Sequence, residues 1–357
     1  MTEVVVTNLN PRYTGVSSTA ARLIPVQARQ YDLALAGHAL PGCPAPVTIA
    51  QARRMTRVPP TGRPFAIWHV RRNVEMRAAL IARDLLRLPI RIVFTTAGTH
   101  RHSLFPRWLM GRMDALIATI PAAAEGKPNV RAVVPHGVDC SVWHPPQDRP
   151  AAWAATGFPG RRGVAAVGRV RTSKGTDRFV ETMLRVLPNH PDTTALVLGR
   201  ARPQDAAFLQ GLKDKVAAAG LADRLLFPGE VAPDAMPALI RACSLTVPLP
   251  RYEPYGVTPL EGMASGVPFV GSPTGDFRTF AADGAAGIVV EERDLVAQAA
   301  AAVDMLLSDE DRLAAMSRTA RQRAVSDHSI EREAAGIAEV YEALWAEGSR
   351  ARDFSAS

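Results

Sequence analysis

Short runs of apolar, often β-branched residues alternate with longer amphipathic stretches along the chain. In the first half, Val4–Thr7, Phe65–Trp68, Arg91–Thr95, Ala115–Ala118 and Val130–Val134 have the length and residue types of buried strands. In the second half the same holds for Gly163–Val167, Ala195–Leu198, Leu225–Phe227, Leu245–Val247, Pro268–Val270 and Gly287–Val290. Between them, Asp177–Leu187, Asp205–Ala219, Ala235–Cys243 and Asp294–Leu307 carry helical periodicity. Strand and helix in alternation predict βαβ units, and so an α/β fold with parallel sheets covered on both faces.

One stretch breaks the alternation. Asp139–Gly160 is rich in Pro and Ala, lacks a periodic apolar face and directly precedes a new strand, which marks it as a linker. A length of 357 residues agrees with two domains. The expected division is 1–150 and 151–330, followed by a C-terminal helix and tail, 331–357, that crosses back to the first domain. Ligands of such folds bind outside the carboxyl ends of the strands, so a cleft between the domains is the expected place of the chemistry.

Composition narrows the class. With 47% hydrophobic and 21% charged residues, the chain is neither disordered nor fibrous. Cys43, Cys140 and Cys243 form no CxxC pair and no disulfide framework. No run approaches a membrane span, and the N-terminal residues lack the basic and apolar regions of a signal peptide, so a cytoplasmic protein is expected. The net charge of +8 is unevenly spread: residues 1–150 hold 19 Lys and Arg against 8 Asp and Glu, whereas residues 151–357 hold 23 against 26. The first half either faces an anionic partner or reflects an Arg-rich composition, since only four of the 42 basic residues are Lys.

Two motifs carry chemistry. Gly168-Arg169-Val170-Arg171-Thr172-Ser173-Lys174-Gly175 follows a strand and precedes a helix. A glycine there lets the backbone turn sharply, and Arg169 and Lys174 are spaced to converge on one anion. The motif is neither a Walker P-loop nor GxGxxG. On spacing alone, an anion site and a solvated surface turn stand level. The second motif is Tyr252-Glu253-Pro254-Tyr255-Gly256-Val257-Thr258-Pro259-Leu260-Glu261-Gly262. It places Glu253 on a loop after a strand and Glu261 a turn into the next helix, where both can accept hydrogen bonds from a polyhydroxylated ligand. The plainer alternatives are a solvated loop acid and an acid favoured near a helix start.

Gly168–Gly175 resembles the G-R-x(n)-K-G signature of retaining GT-B glycosyltransferases of family 4, and Glu253–Glu261 resembles their E-P-[YF]-G-x-x-x-L-E signature. The flanking stretches GLADRLLFPGEV, GMASGVPFVGSPTG, ADGAAGIVV and VVPHGVD agree, so the resemblance spans residues 130–345 and weakens over 1–120. Within the family, Trp68–Met76 and Phe94–Asp114 resemble bacterial lipopolysaccharide-core mannosyltransferases. The resemblance implies two Rossmann-like domains facing a central cleft. It implies that Arg169 and Lys174 hold the nucleotide-sugar diphosphate, that Glu253 grips the transferred sugar, and that Gly256, Val257 and Thr258 present amides to sugar and phosphate. It also implies that Glu261 binds the ribose, that Glu230 and Val231 hold the base, and that no metal is required.

The first half matches less closely. Thr14-Gly15-Val16-Ser17 lies where the family has a glycine-rich loop approaching the donor phosphate, which makes Gly15 a donor-site candidate beside the plain reading of a strand-to-helix turn. Family members place a His near the transferred sugar. His102 is the chosen counterpart, with His100 and His69 as alternatives and an ordinary structural role open for each. His136 stands where the family has Asn and is expected to make a local polar contact. Arg71, Arg72, Arg77, Arg101 and Arg107 suit an anionic sugar acceptor. Leu104/Trp108 and Phe105/Leu109 at i,i+4 read either as a helix resting on anionic lipid or as a core helix with charged edges.

Together these imply a retaining hexosyltransferase that takes mannose from GDP-mannose to a lipopolysaccharide-core or other anionic, lipid-linked glycan. It would work without a cofactor at the cytoplasmic face of the inner membrane. UDP-glucose or another UDP-hexose is the alternative donor. A nucleic-acid-binding protein would explain the basic half, but the chain has none of the aromatic-basic motifs of such modules. A catalytically dead relative would not be expected to keep Arg169, Lys174, Glu253 and Glu261 together.

Overall fold

The computed structural model describes residues 1–98 and 103–356, with side chains through Arg350. The chain divides into two compact units, Met1–Gly137 with the C-terminal segment from Ile330, and Val138–Ser329.

The first unit contains β1 (Val4–Asn8), α1 (Gly15–Gln27), β2 (Leu33–Gly37), α2 (Ile49–Met55), β3 (Ala66–Val70), α3 (Asn73–Leu80), β4 (Ile90–Thr96), α4 (Leu104–Gly111), β5 (Ala115–Ala118), α5 (Pro121–Ala124) and β6 (Val130–Val133). Its sheet is parallel throughout, in the order β2-β1-β3-β4-β5-β6. Alternation along β1 separates two cores: Val4 and Val6 face α1, while Val5 shares a cluster with Met76, Ala79, Leu80, Leu109 and Met110 of α3 and α4. β2, Leu-Ala-Leu-Ala-Gly, has no β-branched residue to announce it, and pairing with β1 makes it a strand.

The second unit contains α6 (Arg149–Ala154), β7 (Arg162–Val167), α7 (Thr176–Val186), β8 (Thr193–Leu198), α8 (Ala206–Ala218), β9 (Leu225–Gly229), α9 (Met236–Ala242), β10 (Leu245–Thr246), α10 (Val257–Ala264), β11 (Phe269–Gly271), α11 (Phe277–Ala281), β12 (Gly287–Val289), α12 (Leu295–Ser308) and α13 (Glu310–His328). Its parallel sheet runs β12-β11-β10-β7-β8-β9. In each sheet the chain starts in the middle and reverses direction of growth once, between β1 and β3 in the first and between β7 and β10 in the second. Such reversals open a crevice at the strands' carboxyl ends, the switch point where α/β folds bind ligands.

One expectation changes. The stretch Asp139–Gly160 belongs to the second unit, so the boundary falls at Gly137/Val138 and not at 150. Trp153 is 1% exposed with its ring against Gly163, and Arg149 donates to the carbonyls of Arg241, Cys243, Ser265 and Gly266. A run without periodicity is thus fixed by long-range contacts, invisible to a local pattern. The C-terminal helix is preceded by a separate one. α13 ends at Ser329, which is extended (φ −70°, ψ 155°), and α14 (Ile330–Ala356) packs on the α1 side of the first sheet through Ile337, Tyr341 and Trp345.

Candidate active site

The site of the second unit is built at its switch point. Gly168 follows β7, and the chain runs through Arg169–Arg171 into a single 3-10 turn, Thr172–Lys174, before α7. Gly175 turns the chain with φ 69°, and a Cβ there would lie 1.8 Å from the Leu249 carbonyl oxygen. Only glycine lets this loop lie backbone to backbone on the segment after β10. That segment, Pro248–Tyr255, brings Glu253 across, and the Lys174 Nζ donates to Glu253 Oε2 at 2.6 Å. Gly256 (φ 110°) then starts α10, with its Cα hydrogens against the Phe277 ring.

One pocket is lined by Gly168, Arg169, Lys174, Glu253, Gly256 and Thr258, with Phe277 among its apolar walls. Residues from two motifs some eighty positions apart in the chain therefore meet, as a shared ligand would require. The Lys174 and Glu253 side chains are 28% and 20% exposed, so their pair contributes at most about 1 kcal/mol and either partner can re-pair at small cost. Arg169 is held below its ordinary pKa by burial and by the neighbouring cations Arg171 and Arg202, with Asp205 opposing. Like charges gathered beside a strand end create a positive potential suited to an anion.

Val257 lies at the start of α10, beside Gly256, but does not line this pocket. Glu261 sits one turn into the helix, 8% exposed. Glu230 and Val231 follow β9, two strands from β7, and Glu230 pairs with Arg200 at 3.4 Å in an exposed contact. They extend the row of strand ends rather than the pocket itself. Gly15 belongs to the other unit, at the start of α1. His102, with His100, lies outside the described residues. His69 is fully buried, its Nδ1 2.5 Å from Tyr341 Oη and its Nε2 2.7 Å from Thr95 Oγ1, so it is a core histidine and no longer a candidate. His136 makes its local contact with Glu333, Nδ1 to Oε1 at 2.8 Å.

The motifs alone did not reveal Arg251. Its guanidinium pairs with both oxygens of Asp177 at 2.8 and 2.6 Å and with the Thr172 carbonyl, and its backbone N–H donates to Ser173. Burial pushes the Asp177 carboxyl up, but the Arg251 bonds outweigh it and hold it below the usual range. This clasp ties the Lys174 turn to the Glu253 loop. Its only sequence signal was an Arg beside the second motif, with a partner 74 residues away.

A larger cavity of about 650 Å³ lies at the opposite, amino-terminal ends of the strands, by Arg162, Asp192 and Ser244. Its most buried cation, Arg149, is already committed to backbone carbonyls. Size therefore does not select the site; convergence of unlike groups at the switch point does. Among the described residues, no cluster of three or more His, Cys, Asp or Glu could hold a metal ion.

Residues 151–323 match the family described as Glycosyl transferases group 1. The chain is 42% identical to the lipopolysaccharide core biosynthesis mannosyltransferase LpsB of Rhizobium meliloti (strain 1021), over 96% of this chain and 97% of that one. It is 39% identical to the corresponding LpcC protein of Rhizobium leguminosarum bv. viciae, over 96% of each. The crystal structure of Anabaena Alr3699/HepE in complex with UDP superposes with a TM-score of 0.78 over 96% of this chain and 100% of that one, and at 16% identity it speaks for the fold alone. With two parallel Rossmann-like sheets of the GT-B class and full-length identity of this order, the chain belongs to the glycosyl transferases group 1 family.

Proposed function

We propose that this glycosyltransferase transfers mannose from GDP-mannose, with retention of configuration, to a lipopolysaccharide-core or related anionic glycan acceptor. The observation that carries the reading is the 42% identity to LpsB along almost the whole of both chains. The switch-point geometry supports its chemistry. Arg169 and Lys174 would pair with the diphosphate and stabilise the charge that develops as the sugar–oxygen bond breaks, the role of a preorganised cation pair. Glu253 would exchange Lys174 for hydroxyls of the transferred sugar, beside the amides of Gly256, Val257 and Thr258. Glu261 would take the ribose, and Glu230 with Val231 the base. The acceptor hydroxyl's proton would pass to the leaving diphosphate as the new bond forms. Gly15, and His102 beyond the described residues, are the first unit's candidates. With two side-chain cations in place, neither metal nor cofactor is required in this scheme.

A thermal-shift series with GDP-mannose, GDP, UDP-glucose and UDP, each with and without EDTA, tests it. A ligand that binds only the folded protein raises the melting temperature by mass action. Guanine-selective stabilisation unchanged by EDTA is the expected result. Selectivity for uridine nucleotides would overturn the donor, loss of binding in EDTA would overturn metal independence, and no response to any ligand would overturn the site.

A further inference from the structure

Three adjacent strands of the second sheet end alike. β7, β8 and β9 lie side by side, with Val167 opposite Leu198 and Leu198 opposite Gly229. Each meets a glycine of positive φ at its carboxyl end: Gly168 at 143°, Gly199 at 150° and Gly229 at 89°. A Cβ on Gly199 would lie 2.0 Å from the Gly168 carbonyl oxygen, and the Gly199 N–H donates to the Gly229 carbonyl at 2.7 Å. Only glycine lets the turns stack backbone to backbone in this way. The residue after each glycine is charged: Arg169, Arg200 and Glu230. The strand ends thus set out a row of two cations and an acid. Arg169 lines the pocket, while Arg200 and Glu230 pair at 3.4 Å with side chains 69% and 64% exposed.

An ion pair this open adds little to folding, and its two groups can turn to a ligand at small cost. Neighbouring strands lie about 4.8 Å apart, so β9 runs about 10 Å from β7, the reach from a diphosphate held at Arg169 and Lys174 to the base of the same nucleotide. The chemistry of the pair then selects among bases. Guanine presents two neighbouring acceptors, O6 and N7, followed along its edge by two neighbouring donors, N1–H and the 2-amino group. A guanidinium donates to two acceptors in one plane, and a carboxylate accepts from two donors. Arg200 beside Glu230 supplies these two functions side by side. The edge of uracil runs acceptor, donor, acceptor, so the carboxylate would face a carbonyl oxygen and be repelled.

We propose that the Arg200 and Glu230 side chains read the guanine edge of the donor, Arg200 donating to O6 and N7 and Glu230 accepting from N1–H and the 2-amino group. The inference rests on the GDP-mannose reading above and adds to it the side chains that select the base. The experiment is calorimetric titration of the full chain, and of its Glu230→Ala and Arg200→Ala variants, with GDP, UDP and inosine diphosphate, which lacks the 2-amino group. The unaltered protein should bind GDP about tenfold more tightly than inosine diphosphate. Glu230→Ala should weaken GDP about thirtyfold and inosine diphosphate about threefold, which closes that gap. Arg200→Ala should weaken both about tenfold and keep the gap, because both nucleotides retain O6 and N7. UDP binding should change less than about twofold in either variant, with the melting temperature unchanged because both side chains are exposed. Guanine selectivity that survives both substitutions would overturn the inference alone. Equal weakening of all three nucleotides would also overturn it, by assigning the pair to the charge around the diphosphate. Absence of GDP binding to the unaltered protein, or its preference for UDP, would overturn the donor reading and the inference with it.

Discussion

The two sheets share one architecture, and their switch points use it in opposite ways. In the second unit, the loops after β7 and β10 bring Arg169, Lys174 and Glu253 to a pocket where the charges are partly exposed. In the first unit, the corresponding ends of β1 and β3 are filled by the protein's own side chains. Arg72 donates to Asn8 Oδ1, Thr14 Oγ1, Ser17 Oγ and Glu75 Oε1, and Glu75, at 0% exposure, also accepts from the backbone N–H groups of Leu9 and Arg71. The same crevice holds a replaceable ion pair in one sheet and a buried-carboxylate hydrogen-bond network in the other. Charge that is to meet a ligand must be cheap to re-pair, whereas charge that fixes a loop must have every partner in place.

If this contrast is right, substitutions should separate activity from stability. The largest effect is expected for Glu253→Gln, which should slow transfer about a thousandfold, equivalent to roughly 4 kcal/mol, with stability changed by less than about 1 kcal/mol. Steady-state transfer rates with a urea titration check both halves, and a fully active variant would end the site assignment. Glu75→Ala should do the reverse. It leaves Arg72 short of its carboxylate partner and two half-buried N–H groups without an acceptor, costing about 3 kcal/mol in the unfolding of the first unit. A neutral Glu75→Ala in a denaturation curve would show the first switch point to be as adaptable as the second.

The smallest effect concerns pH. Burial, with a lesser push from Arg71, holds His69 well below its ordinary pKa, so the folded protein keeps it neutral. The unfolded chain takes up that proton below about pH 6.5, so stability is fully present above this value and is lost as pH falls, by up to about 1.4 kcal/mol per unit. His69→Gln should flatten that slope without changing the transfer rate at neutral pH. A slope identical in both proteins would remove His69 from the network that joins β3 to α14.

Much of this was readable from local pattern. Eleven of the twelve strands that form the two sheets stand as β-branched or apolar runs, and the two motifs lie on the loops where the switch point needs them. β2 was not readable, because its Leu-Ala repeat suits a helix as well as a strand and only the β1 edge decides. The candidate site divides in the same way. Arg169, Lys174 and Glu253 were marked by their motifs, while the Arg251 clasp and the exclusion of His69 came from partners 74 and 272 positions distant.

By itself, the sequence determined the βαβ alternation, the charge imbalance and the residue types that can bind an anion and a polyol. These depend on periodicity and on chemistry within a few neighbouring positions. The tertiary structure decided which unit Asp139–Gly160 joins, that the chain turns at Ser329 so that α14 covers one face of the first sheet, and that Leu109 is core while Leu104 and Trp108 are surface. Each of those depends on which distant surface a segment finds to bury itself against, and burial is a property of the folded whole.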